Sequence, residues 1–363
     1  AFKKGKKIKK ITLENFRLIK RSSVTNLMKK SILGRIINGL LFCFRVTLRI
    51  LIRFSSRESL SIYTTEPPFL PFFGWFIFKL TRVPYILIIY DIYPDVLVNL
   101  GIIKKNKFIS KLWEKLNYKS FSRASEIIVL SESMKKKLKK YSIAVEDKIS
   151  VIPSWSDPEK IYTLAKKDNP FAIRHNITDT FNILYSGNQG RCHDLLTIIG
   201  SAIILSKNSK IKFIFIGDGP QNTRIKELVQ QFNLKNCIFL PFQGKEILNF
   251  SLNTADIALI TMNSFSEGLV APSKLYGHLA ASTPVAIVSP ENSYLKELVE
   301  KYGFGKWFLN GDSYGLSNFI QKLMLNKDFA RKFGSNGRRY IINNANPKLI
   351  MKKYYFLIQQ HLS

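Results

Sequence analysis

A chain of 363 residues exceeds the usual span of one hydrophobic core, and its 46% hydrophobic content is enough to fill two. Its 56 basic against 25 acidic residues leave a net charge of +31, which points to anionic partners. Three scattered cysteines exclude a disulfide framework, and four histidines without two-histidine ligand spacing exclude a recognisable zinc motif.

The charge is unevenly spread. Residues 1–155 hold 31 basic and 10 acidic side chains, a net +21. The run from Ala1 to Lys10 is basic but lacks the cleavage pattern of a secretory signal, and reads as a solvated arm. The longest apolar stretch, Ile32 to Phe54, is interrupted by Arg35, Arg45, Arg49 and Arg53, so its uncharged part, Ile36 to Phe44, is too short to span a bilayer. Apolar residues recur there at helical spacing. Two readings stay open: a basic amphipathic helix lying on a membrane surface, or a helix whose apolar face packs on the protein's own sheet while its arginines meet water.

From about residue 59, short apolar runs alternate with helical stretches, the pattern of doubly wound α/β architecture. The first set predicts strands at 60–64, 85–90, 127–130 and 149–152, with helices near 69–82, 107–122 and 132–141. A second set predicts strands at 181–185, 211–216, 237–240, 257–260 and 285–288, each followed by a helix. These runs are apolar throughout rather than alternating, as in parallel strands covered on both faces. Between the sets, Pro153 to Pro158 and the polar stretch to Asn176 read as a linker with its flanks. The expected organisation is a basic, partly helical region (1–57), two Rossmann-like domains (58–155 and 156–345) and a basic helix (346–363) that could return to the first domain. A ligand cleft is expected between the domains, at carboxyl ends of strands.

Chemistry-bearing residues fall at those strand ends. Asp91 follows an apolar strand and could orient a hydroxyl, and Glu66 holds the corresponding place on the preceding strand; either could instead cap a turn. After Tyr185 comes Ser186-Gly187-Asn188-Gln189-Gly190-Arg191-Cys192-His193-Asp194, whose glycines would let backbone amides approach a diphosphate, with Arg191 or His193 adding charge. His193 fits a surface position at a helix start equally well. Gly217-Asp218-Gly219-Pro220 lacks the third glycine of a dinucleotide fingerprint and is better explained by turn geometry. Leu240-Pro241-Phe242 could pack against a base, or be a plain strand-to-helix turn. The densest segment is Glu267 through Val285: Glu267 on a loop with Gly268, Leu269 and Val270, then Pro272, Ser273 and Lys274 opening a helix. An ammonium beside free backbone amides suits a phosphate, and the preceding carboxylate suits hydroxyls, so a sugar nucleotide matches that polarity. An ordinary serine-capped helix with a solvated lysine is the alternative.

In that order, Leu184-Tyr185-Ser186-Gly187-Asn188, Ile216-Gly217-Asp218-Gly219-Pro220, Leu240-Pro241-Phe242, Ala255-Asp256-Ile257 and Glu267-Gly268 through Pro284-Val285 resemble the donor-domain landmarks of GT-B glycosyltransferases of the retaining family 4 type. The bacterial O-antigen and capsular polysaccharide branch, including N-acetylfucosamine transferases, is the nearest in pattern. Pro272-Ser273-Lys274-Leu275-Tyr276 is the most specific element. Asp91-Ile92-Tyr93-Pro94-Asp95 and Ile152-Pro153-Ser154-Trp155 resemble landmarks on the acceptor side, so the resemblance covers roughly 58–345. The chain departs from the pattern in three places. The second glutamate of the family motif falls at Leu275 or Gly277, the charged pair around the first donor loop becomes Asn188 and His193, and an acceptor-side histidine is replaced by Tyr90. The strand, glycine-rich loop and helix that open such proteins are not visible in this sequence.

The resemblance implies two doubly wound Rossmann-like α/β domains facing a central cleft, the first lacking its initial unit. It also implies sugar transfer from a nucleotide-diphosphate donor, expected to be a UDP-sugar, to a lipid-linked or growing polysaccharide acceptor. Glu267, Lys274 and Asp91 are the expected catalytic residues. Donor binding is assigned to Gly187, Asn188, Gly190, Arg191, His193, Leu240, Pro241, Phe242, Gly268, Leu269, Val270 and Ser273. Glu66, Tyr90 and Asp95 lie on the acceptor side. Without an Asp-x-Asp triplet, no metal is expected. The implied location is cytoplasmic, peripheral on the inner face of the cytoplasmic membrane, with an anionic membrane surface as partner and no specific nucleic acid. A sugar-nucleotide epimerase of the same fold, an impaired scaffold, and a basic membrane- or nucleic-acid-binding protein are the rivals.

Overall fold

Strands with no polar face assemble into two parallel sheets in this protein, seen in a computed structural model that describes residues 11–14, 17–20, 32–52, 59–105, 107–141 and 143–362. The chain divides into two units. One comprises Ala1–Leu130, Lys135–Val151 and Phe356–Ser363; the other comprises Ser131–Met134 and Ile152–Tyr355.

The first unit opens with an antiparallel hairpin, β1 (Ile11–Glu14) and β2 (Arg17–Lys20), followed by α1 (Ile32–Ile52). Then come β3 (Ser61–Thr64), α2 (Leu70–Thr81), β4 (Tyr85–Ile89), α3 (Asp95–Asn99), α4 (Phe108–Arg123), β5 (Glu126–Val129), α5 (Glu132–Leu138), of which the part to Met134 groups with the other unit, and β6 (Ile149–Val151). The sheet is parallel, in the order β3-β4-β5-β6. Periodicity locates these strands well because β4, with four of its five residues buried, has no solvent side to interrupt it. Helix α5 ends earlier than its pattern predicts, giving way to a 3-10 turn over Lys139–Tyr141. The hairpin carries no turn signature in the sequence and is not anticipated there. The arm expected at residues 1–10 lies outside the described residues.

Helix α1 reverses one of the two readings of its amphipathic pattern. Its buried positions are Gly34, Asn38, Cys43 and Thr47, while Ile36, Ile37, Leu40, Phe44, Leu48 and Ile52 are exposed. The apolar stripe therefore does not pack on the protein's own sheet. Gly39 lies against the turn that leads into α2, where a Cβ would meet Pro67 at 3.4 Å. Among the described residues, no helix is long and apolar enough to cross a membrane.

The second unit continues with α6 (Pro170–Arg174), β7 (Phe181–Ser186), α7 (Leu196–Ile204), β8 (Ile211–Ile216), α8 (Asn222–Gln231), β9 (Cys237–Leu240), α9 (Leu248–Leu252) and β10 (Ile257–Thr261). It ends with α10 (Lys274–Ala280), β11 (Val285–Val288), α11 (Tyr294–Tyr302), β12 (Gly305–Phe308), α12 (Ser313–Leu325), α13 (Lys327–Asn344) and α14 (Pro347–Gln359). The sheet is parallel, in the order β12-β11-β10-β7-β8-β9. Alternate residues of β10 and β11 feed opposite cores: Ile257, Leu259, Ala286 and Val288 join the layer under α7 and α12, while Ala258, Ile260, Val285 and Ile287 join the layer under α10 and α11. Both faces are covered, which is why these runs show no alternation. Edge strand β12 is not predicted from the sequence, since Lys306 and the glycine before it break the apolar run. The supposed linker to Asn176 contains α6, capped by Asn169 through the Phe171 amide at 3.0 Å. The division between the units falls at 151/152, and the chain end from Phe356 groups with the first unit, where His361 lies 3.5 Å from Glu126.

Candidate active site

In the second unit, β8 and β9 lie on one side of β7, and β11 and β12 lie beyond β10 on the other. The direction of winding therefore reverses between β7 and β10, and loops leaving those two strands diverge around a crevice at their carboxyl ends. Those loops are 187–195 and 262–273, and they carry the motif residues.

Lys274 reaches back from the first turn of α10 to the end of β7. Its ammonium donates to the Tyr185 hydroxyl at 2.6 Å and stands 3.9 Å from that ring's centroid. Tyr185, fully buried, donates its hydroxyl hydrogen bond to the Asn188 carbonyl at 2.7 Å. No carboxylate among the described residues forms an ion pair with Lys274. The residue keeps some exposed surface, but protein encloses the ammonium and pushes its pKa down to about 7. A buried cation without an anion is an open electrostatic demand. His193 joins the same group: its Nδ1 lies 2.7 Å from the Thr261 carbonyl, so the neutral ring donates there, and burial, then Lys274, holds its pKa near 3. It is not the surface residue that the loop pattern also allowed.

The loop above Lys274 is tightly held. Gly187, at φ +131°, leaves room for the lysine, and a Cβ on Gly217 would strike the Gly187 carbonyl at 2.2 Å. Gln221 donates through Nε2 to the carbonyls of Gly190 and His193 at 2.6 and 2.9 Å. From the other side, Asn263 donates through its backbone amide to Cys192 and through Nδ2 to Arg191 and His193, at 2.9 to 3.1 Å. Neither Gln221 nor Asn263 belongs to a motif. Only their position across the crevice identifies them as positioning residues.

Glu267 and Gly268 occupy the centre of a turn closed by the Leu269 amide and the Ser266 carbonyl at 3.0 Å, with Glu267 at φ −61°, ψ 130° and Gly268 at φ +70°. These are type II angles, which require glycine second. The Glu267 side chain is 7% exposed, yet neither carboxylate oxygen has a hydrogen-bond partner. Burial raises its pKa; the Ser133 hydroxyl, then the Ser293 hydroxyl and the Tyr294 amide, draw it back from nearby without reaching bonding geometry. An orphaned carboxylate and an unpaired ammonium thus lie on one loop-helix segment.

The remaining expected positions separate by exposure. Asn188, Arg191, Pro241, Phe242 and Ser273 are exposed at the carboxyl edge, and Gly190 is held by Gln221. Leu240 ends β9, where its carbonyl accepts the Gly217 amide at 2.9 Å. Leu269 turns inward, 3% exposed, and Val270 packs on the core beneath α10, so both contribute backbone rather than side chain to the loop. Ser273 stands at the N-cap but makes no capping bond, which corrects the capped-helix expectation. At the two positions aligned with the second glutamate of the family motif, Leu275 is fully buried, and a Cβ on Gly277 would meet Leu252 at 3.2 Å.

In the first unit, the ends of β3 and β4 are tied by Thr65, whose hydroxyl accepts from the Tyr90 and Asp91 amides at 3.0 and 3.3 Å. Burial, then the charge on Glu66, lifts Asp91 to about 6. Glu66 is exposed beside it, and the Tyr90 side chain is 39% exposed. Asp95 is already engaged by Tyr141 at 2.7 Å and by Lys140, and this network fixes the start of α3.

Residues 166–340 match the family described as Glycosyl transferases group 1. This segment is similar to group 1 glycosyltransferases. The chain is 28% identical over 244 residues to a Pseudomonas aeruginosa protein named "Probable glycosyltransferase WbjE", an alignment covering 66% of this chain and 59% of that one. It is 28% identical over 229 residues to the Escherichia coli K12 protein named "Putative colanic acid biosynthesis glycosyl transferase WcaI", covering 62% and 56%. The matched region thus spans less than two thirds of each relative. Anabaena HepE, solved in complex with UDP-glucose, superposes with a TM-score of 0.71 at 15% identity, covering 89% of this chain and 83% of that one. The two parallel-sheet α/β units match those of GT-B structures.

Proposed function

We propose that this protein transfers a sugar, with retention, from a nucleotide-diphosphate donor to a lipid-linked or growing polysaccharide acceptor in cell-surface polysaccharide biosynthesis, at the inner face of the cytoplasmic membrane. The observation that carries the reading is the enclosed, unpaired ammonium of Lys274 beneath the Gly187 loop. A leaving diphosphate supplies the missing anion, and stabilising it lowers the barrier to breaking the sugar C1–O bond. Glu267 accepts hydrogen bonds from sugar hydroxyls, which satisfies its orphaned oxygens. His193 presents its neutral Nε2 to the donor. Asp91, with Glu66 beside it, holds the acceptor hydroxyl, and Phe242 with Pro241 offers an exposed apolar surface to the base. The UDP-glucose bound to HepE supports UDP-sugars as first candidates.

A thermal-shift screen against a panel of sugar nucleotides tests the reading directly, since a donor that binds only the native state raises its melting temperature. One or a few UDP-sugars are expected to do so. Transfer is expected to persist in EDTA, because Lys274 supplies the positive charge. A protein that no sugar nucleotide stabilises is not this transferase.

Gln221→Ala removes two hydrogen bonds to the donor loop without touching the anion site. Donor Kd is expected to rise about tenfold, as for the loss of one or two net hydrogen bonds, with kcat little changed. Calorimetric titration alongside turnover measurements separates the two effects.

A further inference from the structure

The amino-terminal end of α4 presents apolar side chains that a protein in water normally hides. Phe108 is 79% exposed, Ile109 61% and Leu112 44%. Contiguous exposed apolar surface of this kind marks an interaction site. Lys104, Lys105, Lys107 and Lys111, all exposed, surround it, and none forms an ion pair among the described residues.

The display is anchored from behind. Trp113 stacks on Phe69 at 4.7 Å and lies 6.0 Å from Tyr93, with Asn117 bonded to the Tyr93 carbonyl one helical turn further on. Ser110, buried, donates to the Lys107 carbonyl at 2.9 Å and closes the turn that leads into the helix. With Ser110, Trp113 and Asn117 inward, Phe108, Ile109 and Leu112 are held outward by the helix itself.

We propose that this end of α4 docks the protein on an anionic lipid surface, with Phe108 and Ile109 entering the acyl boundary and the four lysines meeting headgroup phosphates. Charge complementarity selects this occupant. A bilayer interface offers apolar depth beneath negative charge, which is the polarity of this patch. A polynucleotide supplies the charge but leaves the phenylalanine and isoleucine in water. A second copy would bring its own four lysines against these. The exposed stripe of α1 is not included, because Arg45 and Arg49 are already engaged within the protein and nothing near that stripe sets the charge of a partner.

The inference deepens the proposed function by naming the surface that faces the lipid, and it can fail separately. The full chain is sedimented with vesicles of phosphatidylcholine, with and without phosphatidylglycerol, at rising salt. Binding is expected only with phosphatidylglycerol and is expected to weaken with salt. The double substitution F108S/I109S is expected to lower vesicle affinity about a hundredfold, and each lysine-to-glutamine change at 104, 105, 107 or 111 about fivefold. Stabilisation of the same variants by a sugar nucleotide is expected to match the parent, which confirms folding and isolates lipid binding from the transferase reading. Three results overturn the inference: vesicle binding by F108S/I109S equal to the parent, a parent indifferent to phosphatidylglycerol, or a change confined to oligomeric state in analytical ultracentrifugation.

Discussion

Lys274→Met is expected to lower kcat/KM by about 10²–10³, the scale of removing one preorganised stabiliser of a charged leaving group, while raising the melting temperature of the ligand-free protein. The two effects share one cause. Burial lowers the Lys274 pKa from 10.5 to about 7, so holding it charged in the folded state costs free energy that methionine does not. Between pH 7 and 10.5 the unfolded chain carries a proton that the folded one has released. Ligand-free stability therefore rises with pH across that window, and the variant loses this slope. Donor binding runs the opposite way. A diphosphate restores the charged form, so above pH 7 each donor bound takes up about one proton and its Kd weakens by up to about tenfold per pH unit. Calorimetric titration in two buffers of different ionisation enthalpy measures that uptake. Unchanged donor affinity in Lys274→Met, or no proton uptake at pH 8.5, removes Lys274 from the anion site.

Glu267→Gln is expected to separate stability from activity in the same direction. A carboxylate that is 7% exposed, with both oxygens unpartnered, is destabilising until hydroxyls reach it. Because burial raises its folded pKa above 4.5, the folded state holds the proton more tightly than the unfolded chain. This contribution favours the folded protein at low pH and is lost as pH rises through the folded value. Glutamine removes that loss. The variant is expected to gain about 1–3 kcal/mol at neutral pH, the desolvation cost of an unmade bond. Transfer is expected to fall about a hundredfold, since a hydrogen bond from a sugar hydroxyl to a carboxylate contributes roughly 1.5–3 kcal/mol. Thermal unfolding at several pH values and initial rates with the donor test both halves. A variant that is less stable and equally active contradicts the assignment.

The motif from Glu267 to Val285 was legible in the sequence because its parts are local. A type II turn demands Gly268, Pro272 stands ahead of a helix, and Thr283-Pro284 precedes a strand whose four residues are all buried. The same locality misleads where side-chain direction matters. Leu269 and Val270 belong to the motif but turn into the core, and Asp95 satisfies Tyr141 and Lys140. Gln221 and Asn263 have no local signature, since what they bond lies about 30 and 70 residues away along the chain.

By itself, the sequence determined the class of fold, the succession of the apolar core strands along the chain and the loops that carry charge. Apolar runs without alternation admit few arrangements other than covered parallel strands, and the excess of basic over acidic side chains is a sum over residues. Tertiary structure alone decided which charges are left unsatisfied. Whether Lys274 meets a carboxylate or an aromatic ring, whether Glu267 finds a donor, and whether an apolar helix face turns inward as in Trp113 or outward as in Phe108 depend on what the sheet brings alongside. Desolvation and pairing are properties of a neighbourhood, and sequence spacing does not encode the neighbours.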